Sequence, residues 1–205
     1  MVTAFLHGMI LAFGLILPLG VQNVFVFNQG ARQPTLLKAL PVVVTAALCD
    51  TLLISLAVMG VSLVVLTFAW LKTALYVIGF FFLAYMGWLT WKSEPMVNGE
   101  QQEGFSAKKQ MMFAASVSLL NPHAILDTIG VIGTSSLSYA GSEKWSFLVA
   151  SILVSWAWFF GLAMAGRMAG SLDRSGRLLR TLNKVSAIII WGVALYMGRA
   201  LLLSA

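Results

Sequence analysis

Two aspartates, Asp50 and Asp127, stand deep inside stretches that are otherwise almost wholly apolar. An acid at the centre of a membrane helix costs about 2.5–3.5 kcal/mol to insert. A hydrogen bond between membrane helices returns about 0.6 kcal/mol on average, so two such acids are poorly explained as helix bridges. They suit a cationic cargo or a proton path. His123 stands four residues before Asp127, on the same face of any helix that carries both. A histidine so placed can hand protons between a site and water, or join an acid in holding a metal. Gln22, Asn23 and Asn121 add carboxamides close by in sequence.

These residues cluster around two prolines. The first cluster reads Pro18-Leu19-Gly20-Val21-Gln22-Asn23 and the second Asn121-Pro122-His123-Ala124-Ile125-Leu126-Asp127. Laying Pro18 on Pro122 lays Asn23 on Asp127. A proline inside a helix removes one backbone hydrogen bond at about 3 kcal/mol, so each cluster predicts a helix interrupted at mid-depth. Gly20 lets the first helix open and admits a ligand close to the backbone. Past the second break a new half-helix can start, with Asn121 at its N-cap and Pro122 in the favoured first position. Helix starts at mid-depth turn free N–H groups and a positive dipole end into the protein. Those ends suit a carboxylate and the aspartates suit a cation. A zwitterionic amino acid carries both, and the spare negative charge favours one with a basic side chain. Simple kinks are the plainer alternative, since membrane helices tolerate proline.

The elements that must position these groups follow from composition. Hydrophobic residues make up 60% of the 205 and charged residues 10%, which excludes a soluble globular domain. Six stretches are long enough to cross a bilayer: about 3–28, 38–62, 68–91, 110–135, 146–168 and 182–203. The fold class is therefore all-α integral membrane, a single transporter domain over 1–205. A polar linker, 92–109, separates a first three-helix half (1–91) from a second (110–205). Three spans per half make the halves enter the membrane in opposite senses. Matched broken helices, one and four, in such an inverted 3+3 repeat mark the site of a secondary transporter.

The connections after spans one, three and five hold ten basic residues: Arg32, Lys38, Lys92, Lys108, Lys109, Arg167, Arg174, Arg177, Arg180 and Lys184. The other side holds three, Lys72, Lys144 and Arg199. That asymmetry places the odd connections in the cytoplasm and both termini outside. It also accounts for the net charge of +6 without nucleic acid. The first apolar run has no Lys or Arg before it and does not read as a cleavable signal peptide. The single cysteine, Cys49, excludes a disulfide framework. Trp70, Trp88, Trp91 and Trp145 fall near span ends as interfacial anchors. Trp156, Trp158, Phe159 and Phe160 fall mid-span, where core or lipid packing competes with a cation–π role toward a guanidinium. Gly130, Gly133, Gly161, Ala165, Gly166, Gly192 and Gly198 are expected where helices approach closely.

Three motifs carry a family resemblance: Leu17-Pro18-Leu19-Gly20-Val21-Gln22-Asn23 through Asn28-Gln29-Gly30, then Cys49-Asp50, then Leu120-Asn121-Pro122-His123 through Asp127-Thr128. In this order and spacing the chain resembles the LysE family of amino-acid exporters, closest to its arginine/lysine exporter branch. The resemblance implies efflux of basic amino acids across a bacterial plasma membrane, driven by the proton-motive force. The expected substrate-binding residues are Gly20, Gln22, Asn23, Asp50, Asn121, Pro122 and Asp127, with Asp127 and His123 coupling protons. No cofactor and no resident metal are expected. The partners are the amino acid, protons and membrane lipid, and the chain is compatible with a homo-oligomer. Two rivals remain. A divalent-metal exporter would use His123, Asp127 and Cys49 or Asp50, without a second His to complete the sphere. An intramembrane aspartyl protease also needs two acids, but its Tyr-Asp and Gly-x-Gly-Asp contexts are absent here.

Overall fold

The computed structural model describes residues 1–17, 20–60, 69–92, 105–119, 121–172 and 177–204, and every regular element among them is helical. Pro18, most of the 92–109 linker, and the side chains of Pro122 and His123 lie outside the described residues.

The first predicted span is two helices, α1 (Val2–Ile16) and α2 (Val21–Arg32), bent by 80° at the break. Gly20 caps α2 with an extended backbone (φ −76°, ψ 174°), and Val24 N–H closes the first turn on its carbonyl at 3.1 Å. The second span is one helix, α3 (Leu36–Val58). Thr35 caps it, its hydroxyl accepting from Lys38 N–H at 3.4 Å. Gly60, at φ +86°, turns the chain off the end of α3 in a conformation that a β-carbon resists.

Helix α4 covers Ala69–Lys92. The predicted fourth span is divided into α5 (Ala107–Leu119), α6 (Pro122–Asp127), a π-helical segment (Thr128–Gly133) and one turn, α7 (Thr134–Ser136). The restart at Pro122 is as predicted. The π-helical segment was not, because nothing in a short apolar run distinguishes a π from an α hydrogen-bond pattern. Helix α8 (Gly141–Leu172) and α9 (Arg177–Ser204) overrun the predicted fifth and sixth spans at both ends. Their polar ends continue the helix past the apolar run that defined the span.

By length and apolar composition α3 and α8 can each cross a membrane, and the bent pair α1–α2 passes as one broken span. Helices α4 and α9 carry shorter apolar runs, Val77–Lys92 and Asn183–Tyr196.

Helix α8 is the centre of the packing, against α1, α2 and α3. Helix α3 in turn packs on α5 and the π-helical segment, and α4 packs on α9. Close approach to α8 rests on glycines. A methyl on Gly8 would stand 2.6 Å from the Phe147 carbonyl, and one on Gly30 or Gly166 would overlap the backbone of Ala163 or Phe27. Gly166 was among the expected packing residues. Gly130, Gly161 and Gly192 were too, but a methyl there meets nothing within 4 Å. Spacing alone does not reveal which face of a membrane helix meets protein.

Candidate functional site

Both helix breaks open onto one cavity of about 280 Å³. Gly20, Val21, Gln22 and Asn23 line it from the first break, and Asn121, Ala124 and Asp127 from the second. Asp50 enters from α3, Ser151, Ser155 and Phe159 from α8. Of the seven residues expected to bind substrate, six meet there. The backbone of Pro122 starts α6 beside them, while its side chain is outside the described residues. The side chain of His123, the predicted proton partner of Asp127, also lies outside the described residues.

Asp50 accepts on both carboxylate oxygens. Gln22 Nε2 donates to Oδ1 at 3.2 Å and Ser155 Oγ to Oδ2 at 3.0 Å. Both donors are neutral, and they come from two different helices. Asp127 lines the same cavity from the last residue of α6.

Asn23 does structural work at the break. Its Nδ2 donates to the Ile16 carbonyl at 2.7 Å, satisfying an acceptor that α1 exposes at its end. Its Oδ1 accepts from Trp158 Nε1 at 3.3 Å, so α8 holds both sides of the interruption. Trp158 therefore braces the first break, and Phe159, 1% exposed, is the mid-span aromatic that lines the cavity. Trp156 donates to Thr51 Oγ1 at 3.1 Å.

Asn121 occupies the N-cap position of α6, yet its side chain does not cap the helix as predicted. Its Oδ1 is buried with no hydrogen-bond partner among the described residues. Asn121 is also one of the residues that line the cavity.

Sequence reasoning missed Ser155. Ser151 and Ser155 stand four apart in an apolar span, which places both on one helix face, and that spacing was the available signal. Among the described residues no three of His, Cys, Asp and Glu come together as metal ligands.

The LysE type translocator model matches residues 13–201. YisU of Bacillus subtilis (strain 168), named as an amino-acid transporter, is 57% identical over 198 residues, 97% of this chain and 90% of that protein. ArgO of Pectobacterium carotovorum subsp. carotovorum (strain PC1), named as an arginine exporter protein, is 32% identical over 203 residues, 97% of this chain and 98% of that protein. The ArgO protein of Salmonella schwarzengrund (strain CVM19633) is 31% identical over 203 residues, 97% of this chain and 95% of that protein. No solved structure matches the chain. With its apolar helices the chain is a multi-pass protein of a bacterial cell membrane. The family expected from the three motifs is the family found, and the chain belongs to the LysE type translocators.

Proposed function

We propose that this protein exports basic amino acids, L-arginine or L-lysine, from the cytoplasm in exchange for protons. One observation carries the reading. Asp50 is a carboxylate in the wall of a cavity at two helix breaks, held by neutral donors and facing no protein cation among the described residues. A negative group kept in that state suits a cation that arrives and leaves.

Asp50 and Asp127 balance the basic side chain. The N–H groups of Gly20, Val21 and Gln22 at the start of α2 take the substrate carboxylate, with the start of α6 beside them. Gln22, Asn23 and Asn121, which line the same cavity, are the polar partners of the substrate. The names of the ArgO relatives favour arginine.

Six spans in an inverted 3+3 repeat are part of this reading, with the odd connections in the cytoplasm. The packing supports it: broken span one rests on α8, the fifth span, while broken span four rests on α3, the second. Exchanging the halves exchanges those two pairings and returns the α4–α9 pair to itself.

Export of one positive charge against an inside-negative potential costs about 2.3 kcal/mol per 100 mV. One inward proton cancels that cost and leaves the pH gradient to drive efflux. Asp127, with His123 in the preceding turn, is the assigned proton carrier.

The test is counterflow in proteoliposomes with a panel of labelled amino acids and divalent metals. Arginine or lysine should exchange, with a rate that an imposed pH gradient alters. Transport of a metal with no response to any amino acid would overturn the reading.

A further inference from the structure

The cavity is one-sided. In α1 its lining residues are Ala12, Leu15 and Ile16, between the break and Met1. In α3 they run from Asp50 to Ile54, toward Val58, and beyond α6 they run on to Ile132. Met1 and the start of α8 share that face, since the Met1 amino group pairs with Glu143 at 2.9 Å. On the other side of the breaks, α2 beyond Asn23 and all of α5 contribute nothing to the wall. There Phe25, Val26, Val42, Ala46, Ala114 and Phe159 pack into a solid layer.

Behind that layer lies a cluster of buried carboxamides. Gln29 and Gln33 are each 3% exposed and Gln110 is 1% exposed. Gln33 Nε2 donates to Gln29 Oε1 at 3.1 Å and to the Phe105 carbonyl at 3.0 Å. Gln110 Nε2 donates to the Lys38 carbonyl at 2.9 Å and to the Phe105 carbonyl at 2.8 Å. Arg167 Nη1 donates to the Gln33 carbonyl at 2.8 Å. These bonds tie the ends of α2, α3, α5 and α8 at the face opposite Met1. Gln110 Oε1 is buried without a partner among the described residues.

We propose that Gln29, Gln33 and Gln110, braced by Arg167, form the latch that shuts the cavity from the face opposite Met1, and that this latch separates when cargo loads. The inference rests on the transporter reading. With the odd connections in the cytoplasm, the latch stands on the loading side.

The chemistry of the cluster fits a joint that opens. Apolar layers held apart expose surface to water, whereas separated amides exchange their protein partners for water at small net cost. An unpaired buried acceptor is a cost that persists in the shut state and is relieved when water enters. A purely static seal would gain by filling that oxygen's place with an apolar side chain.

Cys49, the only cysteine, is a native reporter. It is 9% exposed on α3, the helix that packs on α5. The Gln110 bond to Lys38 joins the same two helices at the latch. The experiment applies a membrane-impermeant maleimide to the full chain in vesicles of both orientations, without amino acid. Gln110→Ala removes two bonds, and the rate of Cys49 labelling from the latch face should rise about tenfold, with the rate from the Met1 face unchanged. Gln33→Ala should act in the same direction. If both variants fold as the parent does, unchanged labelling from the latch face would overturn the proposal. So would a rise equal from both faces, or a lowered melting temperature with no one-sided rise. Adding arginine to the parent tests the substrate separately. One-sided labelling in the variants with no response to arginine keeps the latch and removes the basic amino-acid reading.

Discussion

Ser155 Oγ lies 3.0 Å from Asp50 Oδ2, across 105 residues of sequence. The contact joins α8, the helix at the centre of the packing, to the acid in the cavity wall. With Gln22 on the other oxygen at 3.2 Å, the carboxylate is oriented from both sides. A hydrogen bond to a charged group is worth about 1.5–3 kcal/mol, so removing the Ser155 hydroxyl should be felt at the site.

Ser155→Ala should raise the half-saturating arginine concentration about tenfold or more. Ser151→Ala should leave it nearly unchanged, because that hydroxyl is directed at backbone carbonyls, Phe147 of its own helix at 3.0 Å and Gly8 of α1 at 3.4 Å, and not at Asp50. Uptake titrations in proteoliposomes decide this, and equal effects of the two changes would remove Ser155 from the site.

Asp50→Asn and Asp127→Asn should each abolish net export while leaving insertion intact. Asn keeps the size but removes the negative charge, and it lowers the insertion cost. The two should differ in detail. Asp127→Asn should eliminate proton-coupled flux while retaining more arginine/arginine exchange than Asp50→Asn does. Asp50→Asn should weaken exchange itself and relax discrimination against neutral amino acids. Parallel assays of exchange and pH-driven flux separate the two, and wild-type export in both variants would make these acids structural.

Gly30→Ala should destabilise the protein by about 1–3 kcal/mol, since its methyl overlaps the Ala163 backbone in a packed interface. Gly161→Ala, where a methyl meets nothing within 4 Å, should not. Thermal unfolding in detergent reads the difference directly.

Legibility divides along a physical line. The restart at Pro122, the opening at Gly20 and the two intramembrane acids were readable because each is a local cost, visible wherever it falls. Ser155, the braces on Asn23 and the amide latch were not. Gln33 and Gln110 each bond a carbonyl 72 residues away, and such partners leave no mark beside the residue. Glycine packing was half legible: Gly166 met a neighbour and Gly161 did not, because periodicity places residues on a face without saying what covers it. The N-cap of α6 was located correctly by its residue types, but the side chain of Asn121 makes no capping bond.

The proposed orientation is tested by reporter cysteines in 97–104, placed in a Cys49→Ser background. They should resist an impermeant reagent applied to intact cells and react in inside-out vesicles. Ready labelling from outside would reverse the assignment that rests on ten basic residues against three.

The most direct test of the central claim is equilibrium binding of labelled L-arginine to the purified protein and to Asp50→Asn. Binding to the parent should saturate, yield to excess lysine and resist excess leucine. Loss of the charge opposite a buried guanidinium should weaken it at least about tenfold in the variant. Equal affinity in the two proteins would contradict the account, since the cation would then be held elsewhere.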